Sequence, residues 1–232
     1  MSTAEEDRIR EKYKRRKPGD SRYSWFNPGH VYMMQERERR VLELLKKSGI
    51  ESLAEQRILE IGCGQGAWLR DLVRWGAQPD LLTGVDLLSD RVDEARRLCP
   101  AGIQIHCGSA ASLGFPADVF DIVLQSTVFT SIQDEALKQQ VSAEMVRVTR
   151  PGGLIAWYDF RINNPQNPDV SGVAKKEILK LFPGCRLDLF SITPAPPLVR
   201  RLAPWSWLTC YLAGKVPWLR THYLGIIRKR ER

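Results

Sequence analysis

Three glycines follow a short apolar run in the sequence ILEIGCGQGAW, residues 58–68. Glycine lets the backbone turn tightly and approach a ligand, and a helix that starts there offers free N–H groups to an anion. Dinucleotide-binding loops have the spacing GxGxxG, whereas this loop reads GxGxG and has Glu60 two residues before Gly62. A carboxylate at that position disfavours a pyrophosphate and favours a ligand that carries an ammonium group.

A second carboxylate, Asp86, ends the next apolar run of the chain, in the sequence LLTGVDLL. A carboxylate at the end of a second strand accepts both hydrogen bonds from a ribose diol. The apolar run after that ends in small residues around Ser109, which suit hydrogen bonding to the edge of an adenine. Together these positions predict a ligand that contains a nucleoside.

The elements that must position these residues alternate in type. Buried strands are predicted at residues 58–61, 81–85, 103–106, 120–124 and 154–160. Helices are predicted at residues 31–48, 67–75, 89–98, with Ser89 as its cap, and 137–148, which Pro151 and two glycines should end. Strands and helices that alternate in this way predict βαβ units and a mostly parallel sheet with both faces covered.

Over about residues 40–160 the chain resembles the class I S-adenosylmethionine-dependent methyltransferases that act on small molecules. The resemblance rests on ILEIGCGQG, GVD, FDIVLQS and RPGGLIAW, which occur in that order. It implies S-adenosyl-L-methionine as the cofactor and a Rossmann-like, doubly wound α/β fold. The implied sheet has seven mostly parallel strands, helices on both faces and an antiparallel C-terminal hairpin, for which residues 186–192 and 222–228 are the candidates.

The resemblance also assigns cofactor-binding residues and no metal site. Glu60, the glycines and Gln125 would line the methionine end, Asp86 would hold the ribose, and Leu87 would pack on the adenine. The full predicted set is Glu60, Gly62, Cys63, Gly64, Gly66, Asp86, Leu87, Ser109, Ala110 and Gln125. Ser109 stands where the family often has an aspartate, so we expect weaker adenine binding but not its loss.

Methyl transfer from a sulfonium needs an aligned nucleophile and exclusion of water, and a hydroxyl acceptor also benefits from a general base. His30 lies in an aromatic, turn-rich segment before the first predicted helix, where the chain could fold over the cofactor as a lid. Asp159 ends the fifth predicted strand. Both are candidate catalytic residues, although His30 could be a surface residue and Asp159 could cap its own turn. His106 is expected to be a core residue.

Composition and charge are those of one large globular domain with additions. The 232 residues are 43% hydrophobic and 27% charged, with a net charge of +8. The charge is uneven, with +5 over residues 1–50, −4 over 51–182 and +7 over 183–232. We expect a basic arm, solvated over residues 1–20, and an amphipathic cap helix in 1–50, then a methyltransferase domain in 51–232 with a Trp-rich insertion at about 194–220.

The basic ends favour an anionic partner. The preferred function is methylation of a small-molecule acceptor, at an oxygen of a secondary metabolite or of a sugar or lipid-linked intermediate. Aromatic residues beside arginines also suit contact with an anionic membrane surface. The alternatives are an RNA (tRNA or rRNA) methyltransferase, for which the basic ends suit phosphates, and an inactive cofactor-binding scaffold.

Compartment and assembly are less constrained by the sequence. Five cysteines without a CxxC pair and the lack of an apolar leader predict a reducing, cytoplasmic location. The oligomeric state stays open.

Overall fold

One seven-stranded sheet organises the part of the chain that the computed structural model describes, residues 3–15, 19–163 and 169–230. The strands are β1 (Ile58–Ile61), β2 (Leu82–Asp86), β3 (Gln104–Cys107), β4 (Phe120–Ser126), β5 (Thr149–Phe160), β6 (Arg186–Pro194) and β7 (Arg220–Arg228). Their spatial order is β3-β2-β1-β4-β5-β7-β6, and β7 alone runs in the opposite direction to the other six strands. The predicted α/β fold is confirmed, including the antiparallel C-terminal hairpin.

Helices cover both faces of this sheet. They are α1 (Ala4–Lys14), α2 (Pro28–Lys47), α3 (Ala67–Arg74), α4 (Ser89–Leu98), α5 (Glu135–Val148), α6 (Lys175–Leu181), α7 (Pro196–Leu202) and α8 (Trp207–Ala213). Side chains of α2, α3 and α4 form one buried cluster with the strands, and side chains of α1, α5 and α6 form another on the opposite face. Because β1 to β5 are parallel, their carboxyl ends meet at one edge of the sheet, where Asp86 ends β2.

The chain between β6 and β7 forms helices α7 and α8. Their inner side packs against the start of α2 in a small separate core of Tyr32, Met33, Val199, Ala203 and Cys210. The predicted Trp-rich segment is therefore a helical insertion within the C-terminal hairpin, and it is held to the N-terminal half of the chain through α2.

The N-terminal segment differs from its prediction. Residues 1–20 were expected to be a solvated arm, but residues 4–14 form helix α1. A capping box starts the helix, with the Thr3 hydroxyl accepting from the backbone of Glu6 and the Glu6 carboxylate from that of Thr3. Ile9 is buried, and the Arg8 guanidinium donates to the Ser131 carbonyl oxygen at 2.7 Å. The charged side chains therefore anchor α1 to the domain, which composition alone does not indicate.

Some smaller predictions were wrong. Ser89 is the first residue of α4 and makes no capping hydrogen bond. β5 already begins at Thr149, so Pro151 and the two glycines that were expected to end the preceding helix lie within the strand. His106 is exposed because β3 is an edge strand. Helix α6 was not predicted. Among the described residues, no helix has the length and apolar character to cross a bilayer.

Candidate cofactor and active site

The glycine loop between β1 and α3 has a backbone that requires glycine. Gly62, Gly64 and Gly66 have φ angles of +68°, +52° and +72°, in the left-handed region that is costly for other residues. At Gly62 the space is also closed, because a Cβ there would lie 2.5 Å from Cγ2 of Val128. The loop therefore brings bare backbone to the carboxyl edge of the sheet.

Asp86 connects this loop to the end of β2. One of its carboxylate oxygens accepts from the backbone N–H of Gly64 at 2.8 Å, and the other accepts from that of Leu88 at 2.9 Å. Burial raises the pKa of Asp86, and these two hydrogen bonds oppose the rise. Each oxygen keeps a second lone pair, so the same carboxylate can still accept from ribose hydroxyls.

A cavity of about 180 Å³ lies between the carboxyl edge of the sheet and helix α1. Five of the predicted cofactor residues line it: Gly62, Asp86, Leu87, Ser109 and Ala110. The loop after β4 adds Thr127, Val128 and Ser131, and α1 adds Glu6, Ile9 and Tyr13. The structure therefore gathers the residues predicted for ribose and adenine around one cavity and closes it with the N-terminal helix.

Glu60 and Gln125 lie on the neighbouring strands β1 and β4 and are almost fully buried, with exposures of 2% and 0%. Oε2 of Glu60 and Nε2 of Gln125 have no hydrogen-bond partner in the described part of the chain. Burial and the nearby Asp86 raise the pKa of Glu60 well above its usual value, and Arg37 lowers it. An unpaired buried acceptor and an unpaired buried donor are costly. They fit a ligand with an ammonium and a carboxylate, as the methionine end of S-adenosylmethionine has.

The remaining predicted cofactor residues shape the loop. Cys63 is 4% exposed, and its side chain packs in the core below the loop. Burial raises the pKa of its thiol, which therefore stays protonated. Gly66 is the residue before α3 and has no side chain to cap it. A contact of Cys63, Gly64 or Gly66 with the cofactor stays a prediction, and it would use their backbone.

His30, the first candidate base, is the third residue of α2 and is 9% exposed. Its ring packs edge-on against Trp25 and Tyr23, with centroid distances of 5.3 Å and 6.1 Å. Burial lowers the pKa of His30, and the positive charges of Arg37 and Arg200 lower it further. The imidazole is therefore neutral at pH 7, as a base requires, but it is not among the residues that line the cavity.

Asp159, the second candidate, is fully buried and also outside the cavity lining. One carboxylate oxygen accepts from the Thr130 hydroxyl at 2.6 Å and from the Phe160 backbone at 2.9 Å, and the other accepts from the Thr130 backbone at 3.3 Å. Burial raises its pKa to about 7. Apart from the bond to Phe160, these contacts hold the loop after β4 rather than the turn of Asp159 itself, which was the expected alternative. They favour a positioning role for Asp159 over proton abstraction.

The sequence did not single out two groups near the site. One is the face of α1 that covers the cavity, where the Tyr13 hydroxyl lies 3.0 Å from Oγ of Ser131. The other is Arg37 of α2, which approaches the start of α3 through a cation–π contact with Trp68. The spacing of Ile9 and Tyr13 is a helical signal, but it is short and lies in a strongly charged segment.

Comparison with known proteins agrees with this geometry. Residues 58–153, which run from β1 into β5, match a protein family described as a methyltransferase domain. Residues 58–153 thus match a methyltransferase domain, and the sheet that contains them has the fold predicted for class I methyltransferases. S-adenosylmethionine is the cofactor of this domain family, in agreement with the prediction.

Two relatives of this chain are named for different classes of acceptor. The chain is 36% identical over 110 residues to a fatty-acid O-methyltransferase of Mycolicibacterium smegmatis, in a match that covers 46% of this chain and 38% of that protein. It is 30% identical over 117 residues to the tRNA N(3)-cytidine methyltransferase METTL2 of Gallus gallus, which covers 47% and 31%. These matches span less than half of either relative, so they leave the acceptor to be proposed.

Solved structures show the same fold over more of the chain. The crystal structure of a geranyl diphosphate C-methyltransferase from Streptomyces coelicolor covers 99% of this chain and 100% of its own, with a TM-score of 0.66 and 13% identity. The [4+2]-cyclase SpnF covers 93% and 86%, with a TM-score of 0.60 and 17% identity. Because these two proteins are named for different reactions, the fold alone does not specify the chemistry of this chain.

Proposed function

We propose that this chain is an S-adenosylmethionine-dependent methyltransferase that methylates an oxygen of a small-molecule acceptor, such as a sugar or lipid-linked intermediate. The observation that carries the proposal is the pair of unpaired buried atoms on Glu60 and Gln125, next to a glycine loop that Asp86 holds in place. A binding site with one free acceptor and one free donor suits the charged methionine end of the cofactor.

When bound, the cofactor supplies a methyl group attached to its sulfonium sulfur. The acceptor takes this methyl group by in-line displacement, with the neutral thioether as the leaving group. Asp86 would hold the ribose, and Glu60 and Gln125 would fix the methionine end. Helix α1 supplies the outer wall of the cavity through Ile9 and Tyr13, so it would exclude water. The protein's main contribution is then alignment and desolvation, which are the main needs of a displacement reaction.

A hydroxyl acceptor must lose its proton during the transfer. His30 is the residue that we assign to this step, because its neutral imidazole has a free lone pair at pH 7. It lies near the start of α2, against the helical insertion, and the Cα of Arg200 leaves no room for a Cβ at the neighbouring Gly29.

Cofactor binding is the first test. Isothermal titration with S-adenosylhomocysteine should give micromolar binding to the wild-type chain and at least about a tenfold loss in Asp86→Ala, because the ribose loses its acceptor. Asp93→Ala is the matched control, since Asp93 lies on the outer surface of α4 with a 71% exposed side chain. No binding to the wild-type chain at millimolar concentration contradicts the proposal.

Turnover is the second test. Incubation of the protein with labelled S-adenosylmethionine and separate sugar, lipid and RNA extracts should label the sugar or lipid fraction. Label that enters only RNA supports the tRNA or rRNA alternative, and cofactor binding without any label in these fractions supports the scaffold alternative. His30→Ala should lower kcat with little change in cofactor affinity, and unchanged turnover would exclude His30 as the base.

A further inference from the structure

The segment before α2, helix α8 and the loops on either side of α8 expose large apolar side chains. The most exposed are Phe26 (98%), Trp205 (89%), Trp218 (81%), Trp25 (67%) and Leu208 (65%), followed by Tyr23 (60%), Leu212 (56%), Trp207 (45%) and Tyr211 (44%). We call residues 23–26, 205–212 and 218 the aromatic surface. Soluble proteins expose single apolar residues commonly, but a concentration of this size is typical of an interaction site.

The two parts of the aromatic surface belong to one packed unit. The rings of Tyr32 and Trp207 meet edge to face with a centroid distance of 5.8 Å. Gly29 lies so close to Arg200 that an added Cβ would be 2.7 Å from its Cα. The inner side of the unit has its own buried cluster, so the exposed aromatic residues are not needed to complete a core.

The charge of the insertion is one-sided. Residues 194–220 contain no Asp or Glu and four basic residues, Arg200, Arg201, Lys215 and Arg220. Arg201 and Lys215 are exposed and have no acidic partner among the residues that the structure describes. The Lys215 ammonium lies 4.6 Å from the ring centroid of Tyr211. Positive charge therefore stands directly beside exposed aromatic rings, and it is left for an external anion.

We propose that the aromatic surface docks the protein onto an anionic lipid bilayer. Tryptophan and tyrosine rings are favoured at the boundary between headgroups and acyl chains, and nearby basic residues are attracted to anionic headgroups. Exposed leucines such as Leu208 and Leu212 gain from acyl-chain contact and have no stacking role on nucleic-acid bases. A second copy is disfavoured, because a two-fold interface would place the same positive charges against each other.

The position of this surface links it to the proposed reaction. The ring of Trp25 is 5.3 Å from that of His30, so the surface adjoins the candidate base. If the proposed function holds, this arrangement favours an acceptor that is carried by a lipid. The docking itself rests only on the exposed side chains and their charge, so it can be tested without cofactor.

The test is co-sedimentation of the full chain with phosphatidylcholine vesicles, with and without phosphatidylglycerol. The wild-type protein should sediment with the anionic vesicles and be released by high salt. Trp205→Ala with Trp218→Ala should lower the partition by at least about tenfold, because two interfacial rings are lost. The matched control is Leu98→Ala with Leu179→Ala, two exposed leucines of α4 and α6 (47% and 49%), which should bind as the wild type does.

Circular dichroism establishes that each variant is folded. The docking proposal is overturned if the wild-type chain stays in the supernatant with both vesicles, or if the tryptophan variant and the leucine control lose equal binding. It is also overturned if the tryptophan variant instead loses dimerisation in ultracentrifugation, or binding to an RNA in a gel shift. Failure of S-adenosylhomocysteine titration, with vesicle binding retained, would count against the proposed function alone.

Discussion

The guanidinium of Arg37 lies over the indole of Trp68, with its Cζ atom 4.2 Å from the ring centroid. Arg37 belongs to α2, and Trp68 is the second residue of α3, directly after the glycine loop. The guanidinium of Arg37 forms a long ion pair with Asp71, whose carboxylate oxygen lies 3.8 Å from Nη2. Nε of Arg37 has no hydrogen-bond partner in the described structure. The contact therefore brings an incompletely paired positive charge behind the cofactor loop.

Removal of this charge should affect ligand binding more than folding. Three charged residues act on Glu60: Arg37 of α2, Asp86 of β2 and Asp71 of α3. Arg37 lowers the pKa of Glu60, and the two aspartates raise it. In Arg37→Met the Glu60 pKa rises further, so a smaller fraction of Glu60 is ionised to bind an ammonium. We expect about tenfold weaker binding of S-adenosylhomocysteine at pH 7, with part of the loss recovered at higher pH.

Titration calorimetry across pH, together with thermal melting, checks this expectation. Arg40→Met is the control, because Arg40 lies on the same helix with a more exposed side chain (39%) and pairs with Glu43. Because the ion pair of Arg37 with the partly exposed Asp71 is long, its loss should change the melting temperature little. Equal affinities of Arg37→Met and the wild type at every pH would refute the role of Arg37.

The raised pKa of Asp159 predicts a pH dependence of stability. The unfolded carboxyl has a pKa of about 4, and burial raises it to about 7 in the folded chain. Between these values the folded state binds the proton that the unfolded state has lost, so this group makes stability fall as pH rises from about 4 to about 7. Asp159→Asn should flatten that part of the profile, as measured by urea unfolding at several pH values.

Asp159→Ala separates the hydrogen bonds from the titration. It leaves the Thr130 hydroxyl and two backbone N–H groups without their acceptor, which should cost about 1–3 kcal/mol of unfolding free energy. An asparagine variant with the same pH slope as the wild type would show that Asp159 does not titrate in this range.

Helix α1 should control how fast the cofactor leaves. Ile9 lines the cavity and is 8% exposed, so Ile9→Ala loosens the wall without removing a charge. We expect S-adenosylhomocysteine to dissociate up to about tenfold faster, since a covering element sets the rate of release. Stopped-flow displacement measures this rate, and Glu11→Gln, with a 57% exposed side chain on the same helix, should match the wild type. An unchanged rate in Ile9→Ala contradicts a covering role for α1.

Gly62 should not tolerate a side chain. Its φ of +68° and the 2.5 Å approach of a Cβ to Val128 both oppose Gly62→Ala, and the backbone effect alone costs about 1–2 kcal/mol. The melting temperature and cofactor affinity should both fall, and Val128→Ala should recover part of the loss. Gly114→Ala is the control, because Gly114 has no neighbour within 4 Å of an added Cβ.

The parts of the structure that local patterns determine were predictable. The strand at residues 58–61 was correct to the residue, because a short run with three apolar residues in four ends at a glycine. Gly62, Asp86, Leu87, Ser109 and Ala110 come together at one cavity, because parallel strands place their carboxyl ends at the same edge.

The parts that depend on contacts between distant residues were not predictable. Helix α1 is held by bonds such as that from Arg8 to the Ser131 carbonyl oxygen, and a charged segment gives no sign of such a partner. The burial of Asp159 depends on Thr130, which belongs to a loop that no sequence motif connects with it. A titratable residue at the end of a strand therefore suggested a base, whereas its environment makes it a support for the loop.

The helical insertion lies between two antiparallel strands, outside residues 58–153 that match the methyltransferase family. A hairpin connection can change in length and sequence while the strands on either side keep their pairing. The exposed insertion can thus change its sequence through mutation without disturbing the cofactor loop. New acceptors or new cellular locations would then evolve first through changes in α7 and α8. Relatives that differ in this insertion should differ in their cellular location before they differ in how they bind the cofactor.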